Sequence, residues 1–487
     1  MNKPESAITL QDMGHIEKIH FVGIGGTGMS GIAEVLLNLG FKISGSDQTI
    51  SVVTERLIAL GAVISSEHQA VNVECADVVV VSSAVDSENI EIKTAQLNRI
   101  PVIPRAEMLA ELMRFRYGIA IAGTHGKTTT TSLIANMMAE GDLDPTFVIG
   151  GRLNSSGANA KLGLGHYLVA EADESDASFL HLQPMIAVVT NIDRDHMETY
   201  EGNYQRLQEA FVEFLSHLPF YGLAVVCVDD PGVELLLPKM TKPYRTYGLT
   251  IGADVCATKI TQSGLQTTCQ VQRWGDYAAL DITLNMPGLH NLQNALAAIT
   301  VATHLNISDQ AIRESLKTFT GVGRRFQINQ EFSIQNEPVT LVDDYAHHPR
   351  EIEATLGSLK QAWPKRRAII IFQPHRYSRT RDLFEDFVRV LSSVDILILL
   401  EVYSAGEDVI AGADGRALAQ AIRARGQVNP VFVEDRNDLL DILEGLVQPK
   451  DVVLTLGAGS VSKIAAVLSD ALPERMGAMK TALEGWS

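Results

Sequence analysis

Tyr117-Gly-Ile-Ala-Ile-Ala-Gly-Thr-His-Gly-Lys-Thr-Thr-Thr130 decides the fold class of this 487-residue chain. The apolar run Tyr117–Ala122 reads as a buried strand. Glycines then turn the chain, and a lysine and threonines open a helix. A strand that feeds a helix through a short turn is the unit of a parallel α/β sheet. Loop N–H groups can cradle phosphates. Lys127 can reach the terminal phosphoryl oxygens, and a hydroxyl at Thr128 or Thr129 can hold Mg²⁺. The usual phosphate loop has four residues between its glycines. Here only Thr124 and His125 intervene, so the motif leans on its strand–loop–helix setting. The candidate nucleotide residues are Gly123, Thr124, His125, Gly126, Lys127, Thr128 and Thr129.

The same alternation extends in both directions. Upstream, Lys18–Gly23 is a strand candidate. It is followed by Gly23-Ile-Gly-Gly-Thr-Gly-Met-Ser-Gly31 and an amphipathic stretch. Phe41–Ser46, Ala62–Ser65 and Ala76–Ser82 are further strands, and Pro101 and Pro104 punctuate the end. A glycine turn lets backbone approach a diphosphate, and a helix N-terminus offers free N–H groups. The candidates here are Gly25, Gly26, Thr27, Gly28, Met29, Ser30 and Ser83, with Asp47 placed where a ribose-binding acid would sit. Glycines alone do not separate NAD from a UDP-sugar, since both carry a pyrophosphate. Downstream, Tyr167–Ala172, Ile186–Asn191 and Leu223–Val228 continue the central sheet. Asp254–Leu284 lacks a helical period and reads as antiparallel strands, followed by helices at Asn291–His304 and near Gln310–Phe319. A third α/β unit begins near Val322, with strands at Val339–Val342, Arg367–Phe372, Asp395–Leu400, Val431–Val433 and Asp451–Leu456. The fold class is therefore α/β with three domains. The first is Rossmann-like (1–105), the second a P-loop ATPase with a parallel sheet plus a small antiparallel sheet (106–321), and the third Rossmann-like (322–487).

Composition narrows the function. Net charge is −18 and 46% of residues are hydrophobic, which excludes the basic faces that nucleic acid or a membrane surface needs. No apolar run is long enough to span a membrane. The polar N-terminus lacks the apolar core of a signal peptide, and Cys75, Cys227, Cys256 and Cys269 have no CxxC spacing. A cytoplasmic protein with reduced thiols is expected. One chain does not separate a monomer from a homodimer.

Further motifs fall at strand ends. Glu171-Ala-Asp-Glu-Ser-Asp176 packs four carboxylates into a short run, which suits either Mg²⁺ or a solvated loop. Asn191-Ile-Asp-Arg-Asp-His196 ends the next strand, where His196 is a candidate for a second metal ion. Asn291 and Asn294 share one helix face beside His290 and suit either capping or an adenine edge. Gly323-Arg-Arg-Phe326, Asp343-Asp-Tyr-Ala-His-His-Pro349 and Gln373-Pro-His-Arg-Tyr-Ser-Arg-Thr-Arg381 open the third unit. Arg376, Arg379 and Arg381 form a basic cluster fit for a carboxylate or phosphate.

In this order the motifs resemble the Mur ligase family, over nearly the whole chain. The shared set is the Gly-Thr-His-Gly-Lys-Thr loop, the Glu171 run, Asp195-His196, His290-Asn291 with Asn294, Arg325 and Asp344-Tyr345-Ala346-His347. The resemblance implies domains for UDP-sugar, ATP and amino acid. It also implies an ADP-forming ligase that activates a carboxylate as an acyl phosphate for attack by an amine. Carried over, Lys127 would stabilise the γ-phosphoryl charge. Thr128 and Glu171 would hold one Mg²⁺ and His196 a second, with Mn²⁺ able to substitute. Asn291, Asn294, Arg325 and Asp344 would contact ATP. Tyr345, His347, Arg376 and Arg379 would surround the amino acid, with Lys127, His196, His347, Arg376 and Arg379 as the catalytic group. Several motifs, Gly25–Gly31 and Phe372–Tyr377 among them, resemble the branch that adds L-alanine to UDP-N-acetylmuramate. Other branches carry a carbamylated lysine after the Asp-His pair. Here Glu209–Leu215 reads Glu-Ala-Phe-Val-Glu-Phe-Leu, and no lysine occurs between His196 and Lys239. The tripeptide-attaching recycling branch shares much of the pattern. An NAD dehydrogenase or an ATP-driven switch would leave the remaining strand-end motifs unexplained.

Overall fold

The computed structural model describes residues 13–82, 84–151, 159–477 and 479–480, without the side chains of Thr27, Met479 and Lys480. The chain divides into two compact units. One comprises residues 1–261, 268–285 and 291–319, and the other 262–267, 286–290 and 320–487. Among the described residues the strands form sheets of five, ten and seven strands.

In the first unit, β1 (Lys18–Val22), β2 (Lys42–Ser46), β3 (Val63–Ser65), β4 (Val78–Val81) and β5 (Val102–Pro104) lie in the order β3-β2-β1-β4-β5. Every neighbouring pair is parallel. The order reverses at β1, so the connections leaving β1 and β4 run in opposite directions and leave a crevice at the carboxyl ends of these paired strands. The helix Thr27–Asn38 returns the chain from β1 to β2 and buries Met29, Ile32, Ala33 and Leu36 against Ile19, Phe21 and Ile43.

The ten-stranded sheet contains β6 (Tyr117–Ala122), β7 (Thr146–Val148), β8 (Ala160–Lys161), β9 (Tyr167–Glu171), β10 (Ile186–Val189), β11 (Leu223–Cys227), β12 (Tyr244–Gly248), β13 (Val255–Ser263), β14 (Gln266–Gln272) and β15 (Leu280–Leu284). The order is β15-β14-β13-β12-β11-β10-β6-β9-β7-β8. β6 lies between β9 and β10, parallel to both, and its residues from Ile119 to Ala122 are fully buried. The β13–β15 meander continues this sheet, because β12 pairs with β13 in parallel. A two-residue link then brings β14 back beside β13, which requires an antiparallel hairpin.

In the second unit the seven strands are β16 (Gln327–Ile334), β17 (Glu337–Asp344), β18 (Ala368–Phe372), β19 (Ile396–Leu400), β20 (Val431–Val433), β21 (Val452–Leu456) and β22 (Met479–Lys480), in the order β20-β19-β18-β21-β17-β16-β22. Alternation along the central strands fills two cores. Ile370, Phe372, Leu397, Leu399 and Leu454 pack on one face, and Ile369, Ile371, Ile398 and Val453 on the other. A sheet buried on both sides is what continuous Val/Ile/Leu strands encode.

Candidate active site

The loop after β6 is tied down by the end of β10. The His125 N–H donates to Asn191 Oδ1 at 2.8 Å, Thr190 Oγ1 donates to the His125 carbonyl at 2.7 Å, and the Asp193 N–H donates to Thr124 Oγ1 at 2.9 Å. His125 Nε2 lies 3.2 Å from Asp193 Oδ2. Gly126 caps the helix Lys127–Glu140, with no side-chain cap and no acid in the first turn. Its first N–H groups therefore stay available to an anion. Lys127 Nζ donates to both oxygens of Glu174, at 2.9 and 2.7 Å, and to the Gly123 carbonyl at 2.7 Å. Burial works against the ammonium, but Glu174 and Asp173 keep its pKa above the usual lysine value.

Of the two candidate threonines, Thr128 meets the acidic run, its Oγ1 3.2 Å from Glu171 Oε2. Thr129 is buried. A hydroxyl and carboxylates beside a phosphate loop form a hard-oxygen set that suits Mg²⁺. His196 stands beyond the end of β10 in a left-handed conformation, φ 53°. Its Nε2 is 3.5 Å from Asp195 Oδ2. Asn291 and Asn294 are buried on the helix Leu289–His304, and Thr130 Oγ1 lies 3.2 Å from Asn294 Oδ1. Asn294 Oδ1 also lies beside the Gly126 turn, where an added Cβ would meet it at 2.6 Å.

The N-terminal glycine turn carries a different set. The Gly25 N–H donates to Asp47 Oδ2 at 2.9 Å, and the Thr49 N–H to Oδ1 at 3.0 Å. Asp47 thus staples the turn, and its carboxylate has lone pairs beyond these two bonds. Gly26 caps the helix Thr27–Asn38 without a side-chain bond. Met29 faces the core and offers a ligand only its backbone. Asn159 Nδ2 donates to the buried Ser30 hydroxyl at 3.2 Å. Ser83 lies outside the described residues. The guanidinium of Arg105 covers Gly28, where an added Cβ would lie 3.0 Å from Nη1. Arg105 Nη2 is 3.6 Å from Asp173 Oδ2. A cavity of about 610 Å³ opens beside the turn, lined by Gly23, Asp47, Thr49, His68 and Asn89 among others.

In the second unit, Asp344 at the end of β17 accepts from the Phe326 and Ala346 N–H groups, at 2.7 and 2.8 Å. Burial raises its pKa to about 6, against the pull of Arg325. Arg324 and Arg325 both lie 5.1 Å from the Tyr345 ring. The Tyr345 and His347 rings are 5.2 Å apart, and the rings of His347 and His375 5.8 Å apart. His375 stacks on Tyr403 at 5.5 Å. Arg379 is buried, with Nη1 3.5 Å from His375 Nδ1. Arg376 lies 3.7 Å from Glu407, while the exposed Arg381 pairs with its neighbour Asp382. The unit thus gathers Tyr345, His347, Arg376 and Arg379, the expected amino-acid set, around two rings the sequence did not single out.

The chain matches three family models in succession. They are the Mur ligase family catalytic domain over residues 18–117, the Mur ligase middle domain over 121–302 and the Mur ligase glutamate ligase domain over 324–459. It is 64% identical, over 96% of its length and 98% of the relative, to the UDP-N-acetylmuramate–L-alanine ligase of Methylococcus capsulatus. The chain belongs to the Mur ligase family. The protein of the same name from Halorhodospira halophila is 56% identical over 96% of each chain. Among solved structures, the UDP-N-acetylmuramate–alanine ligase of Thermotoga maritima is 29% identical. It superposes with a TM-score of 0.78, covering 94% of this chain and 99% of the other.

Several polar residues of this Mur ligase escape sequence reasoning. Arg105 follows a proline and reads as the edge of a linker. His375 and Tyr403 are joined by an isolated parallel bridge across separate strand ends. Glu91 looks like an ordinary first-turn helix acid. It is buried, and its partners Ser46, His68 and Asn72 are distant in sequence.

Proposed function

We propose that this Mur ligase joins L-alanine to the carboxylate of UDP-N-acetylmuramate, with ATP converted to ADP and phosphate. The observation that carries the acceptor and the amino acid is the 64% identity, across nearly the whole chain, to a ligase of that name. The same full-length similarity favours this function over attachment of a whole tripeptide. Residues 1–105 would hold the UDP-sugar, 106–321 ATP and 322–487 the amino acid. Among the described residues no helix is long and apolar enough to cross a membrane, and we place the enzyme in the cytoplasm.

The muramate carboxylate oxygen attacks the γ-phosphorus, and the bond to ADP breaks. The alanine nitrogen then attacks the acyl carbon, and phosphate leaves as the amine sheds its proton. Lys127, the Gly126 turn and the uncapped helix start meet the charge that spreads over the moving phosphoryl group. Binding ATP requires Lys127 to exchange Glu174 for phosphate oxygens. Thr128 and Glu171, with His196 for a second ion, would hold Mg²⁺, which supplies charge neutralisation. Asn291, Asn294, Arg325 and Asp344 would position the nucleotide. Tyr345, His347, Arg376 and Arg379 would surround alanine, whose carboxylate suits a guanidinium fork.

Purified protein with ATP, Mg²⁺ and UDP-N-acetylmuramate should release phosphate only when L-alanine is added, giving a product heavier by one alanine residue. Release only with L-Ala-γ-D-Glu-meso-diaminopimelate would move it to the recycling branch. Release with neither would leave an ATPase.

A further inference from the structure

The second unit has a cavity that the reaction does not use, at the end of its sheet away from His375 and Arg376. Its volume is about 560 Å³, within the range of roughly 300–1,000 Å³ usual for small-molecule sites. It opens beside Ala368, the first residue of β18, and Asp395, just before β19. His375 and Arg376 follow the other end of β18. A strand of five residues spans roughly 15 Å, so the cavity stands apart from the amino-acid set. Its floor is apolar. Leu356, Leu359 and Ala368 are buried there, and Trp363 and Val394 are half-buried.

Cations ring this floor. Lys360 and Lys365 are exposed and bond no carboxylate among the described residues. Arg366 donates to the backbone carbonyls of Lys450, Pro338 and Asp451, at 2.7, 3.1 and 2.8 Å, and no carboxylate bonds it. Arg367, by contrast, pairs with both oxygens of Asp451, at 3.0 and 2.6 Å. The described wall carries one acid, Asp395, whose Oδ2 accepts from the Ala368 N–H at 2.9 Å. Lys360, in the last turn of the helix Pro349–Ala362, answers its carbonyl end. Lys365 and Arg366 lie past that helix and have no such duty. In a chain of net charge −18, uncommitted cations around an apolar floor select an anion with an apolar body.

One wall leads toward the strand-end residues. The Trp363 ring has the Arg366 guanidinium 5.4 Å from its centre and stacks on Phe326 at 5.9 Å. Phe326 is in a left-handed conformation, φ 49°, and its N–H donates to Asp344 Oδ2 at 2.7 Å. That conformation is unfavourable for a phenylalanine and is kept only where its surroundings enforce it. Trp363 is part of those surroundings, so a ligand against Trp363 acts on the bond that fixes Asp344.

We propose that this cavity binds a small carboxylate or sulfonate with an apolar body, and that its occupancy weakens the use of ATP. Lys360, Lys365 and Arg366 meet the charged end, and Leu356, Leu359 and Val394 cover the rest. Pressure on Trp363 loosens the hold of Phe326 on Asp344. The binding stands on the cavity alone, and the effect on ATP rests on the role of Asp344 proposed above.

The probe is 8-anilinonaphthalene-1-sulfonate, an aromatic anion that fluoresces when held in apolar surroundings. Its uncharged counterpart is N-phenyl-1-naphthylamine. The intact full-length protein should bind both saturably. Lys360→Glu combined with Lys365→Glu should weaken the sulfonate about tenfold and the uncharged probe by no more than about twofold. Both lysines are exposed and away from the reacting groups, so melting and probe-free phosphate release should match the parent. Saturating sulfonate should raise KM for ATP about fivefold in the parent and leave it unchanged in the double variant. Absence of saturable binding, or equal sulfonate affinity in parent and variant, would overturn the site. Equal loss of both probes would overturn the role of the charge and with it the ligand class. Sulfonate binding that leaves KM for ATP unchanged would overturn the link to Asp344, even if ligation runs as proposed. If ligation itself fails, the binding measurements decide the site alone.

Discussion

Gly23–Gly26 and Gly123–Gly126 each turn the chain from a buried parallel strand into a helix with no side-chain cap and no first-turn acid. Beyond that likeness the two turns differ in what surrounds them. The central turn has its own cation, Lys127, held by Glu174, and a hydroxyl, Thr128, held by Glu171. The N-terminal turn, Gly23–Gly26, is followed by no lysine or arginine in its helix start. Its N–H at Gly25 is occupied by Asp47, and the guanidinium against it, Arg105, comes from a different helix. A group that only binds a diphosphate needs complementarity to an unchanging charge. A group that moves a phosphoryl must also meet charge that develops during the reaction. Lys127, bonded to Glu174, is of the second kind under the function proposed above.

Substitution at the glycines probes the sharpest difference. Gly123 has φ 130°, and a Cβ there would lie 2.1 Å from Thr190 Oγ1 and 3.0 Å from backbone atoms of Thr190 and Asn191. Backbone strain and overpacking together cost about 2–6 kcal/mol. Gly123→Ala should therefore lower the midpoint of thermal unfolding markedly and abolish ATP binding. A variant with unchanged melting and nucleotide affinity would mean that the turn tolerates side chains and is not a tight phosphate cradle.

Lys127→Ala comes next. It should reduce phosphate release by about a thousandfold or more, while calorimetric UDP affinity stays within twofold. Loss of both would erase the distinction between the turns. Arg105→Ala should do the reverse. Removing one charged bond to a phosphate oxygen costs about 1.5–3 kcal/mol, so KM for the UDP-sugar should rise about ten- to hundredfold with KM for ATP unchanged. A rise in KM for ATP instead would assign Arg105 to the Asp173 side.

The two turns also differ in how much of them the sequence disclosed. Gly123–Thr130 is local: strand, loop and helix lie in one stretch, and Lys127 and Thr128, which meet Glu174 and Glu171, are residues the motif names. The N-terminal turn is legible as backbone with Asp47 beside it, but not for the side chains that come from afar, such as Arg105. Met29 falls inside the motif yet packs in the core, because helical periodicity overrides adjacency to the glycines. Glu91 meets Ser46 and His68 across 45 and 23 residues, and no local pattern records such distances. Elsewhere, β16 went unread because Gln327–Ile334 is mostly half-buried and lacks clean alternation. The β13–β15 strands were legible as antiparallel, but their continuity with the parallel sheet depends on the β12–β13 pairing.

The smallest effect expected is at Gly28, and it separates a cradle from a scaffold. A Cβ there would approach only the far end of Arg105, 3.0 Å from Nη1 and 3.1 Å from Cδ. That side chain can swing aside. Alanine also favours the helix by about 0.5–1 kcal/mol over glycine. Gly28→Ala should therefore melt no lower than the parent. If backbone must closely approach a diphosphate here, KM for the UDP-sugar should still rise about two- to fivefold, since the methyl group and the displaced guanidinium both act on binding. A stable variant with unchanged KM would mean that the diphosphate sits away from Gly28. Arg105 would then serve only to tie the helix start to Asp173, and the likeness between the two turns would be confined to their backbones.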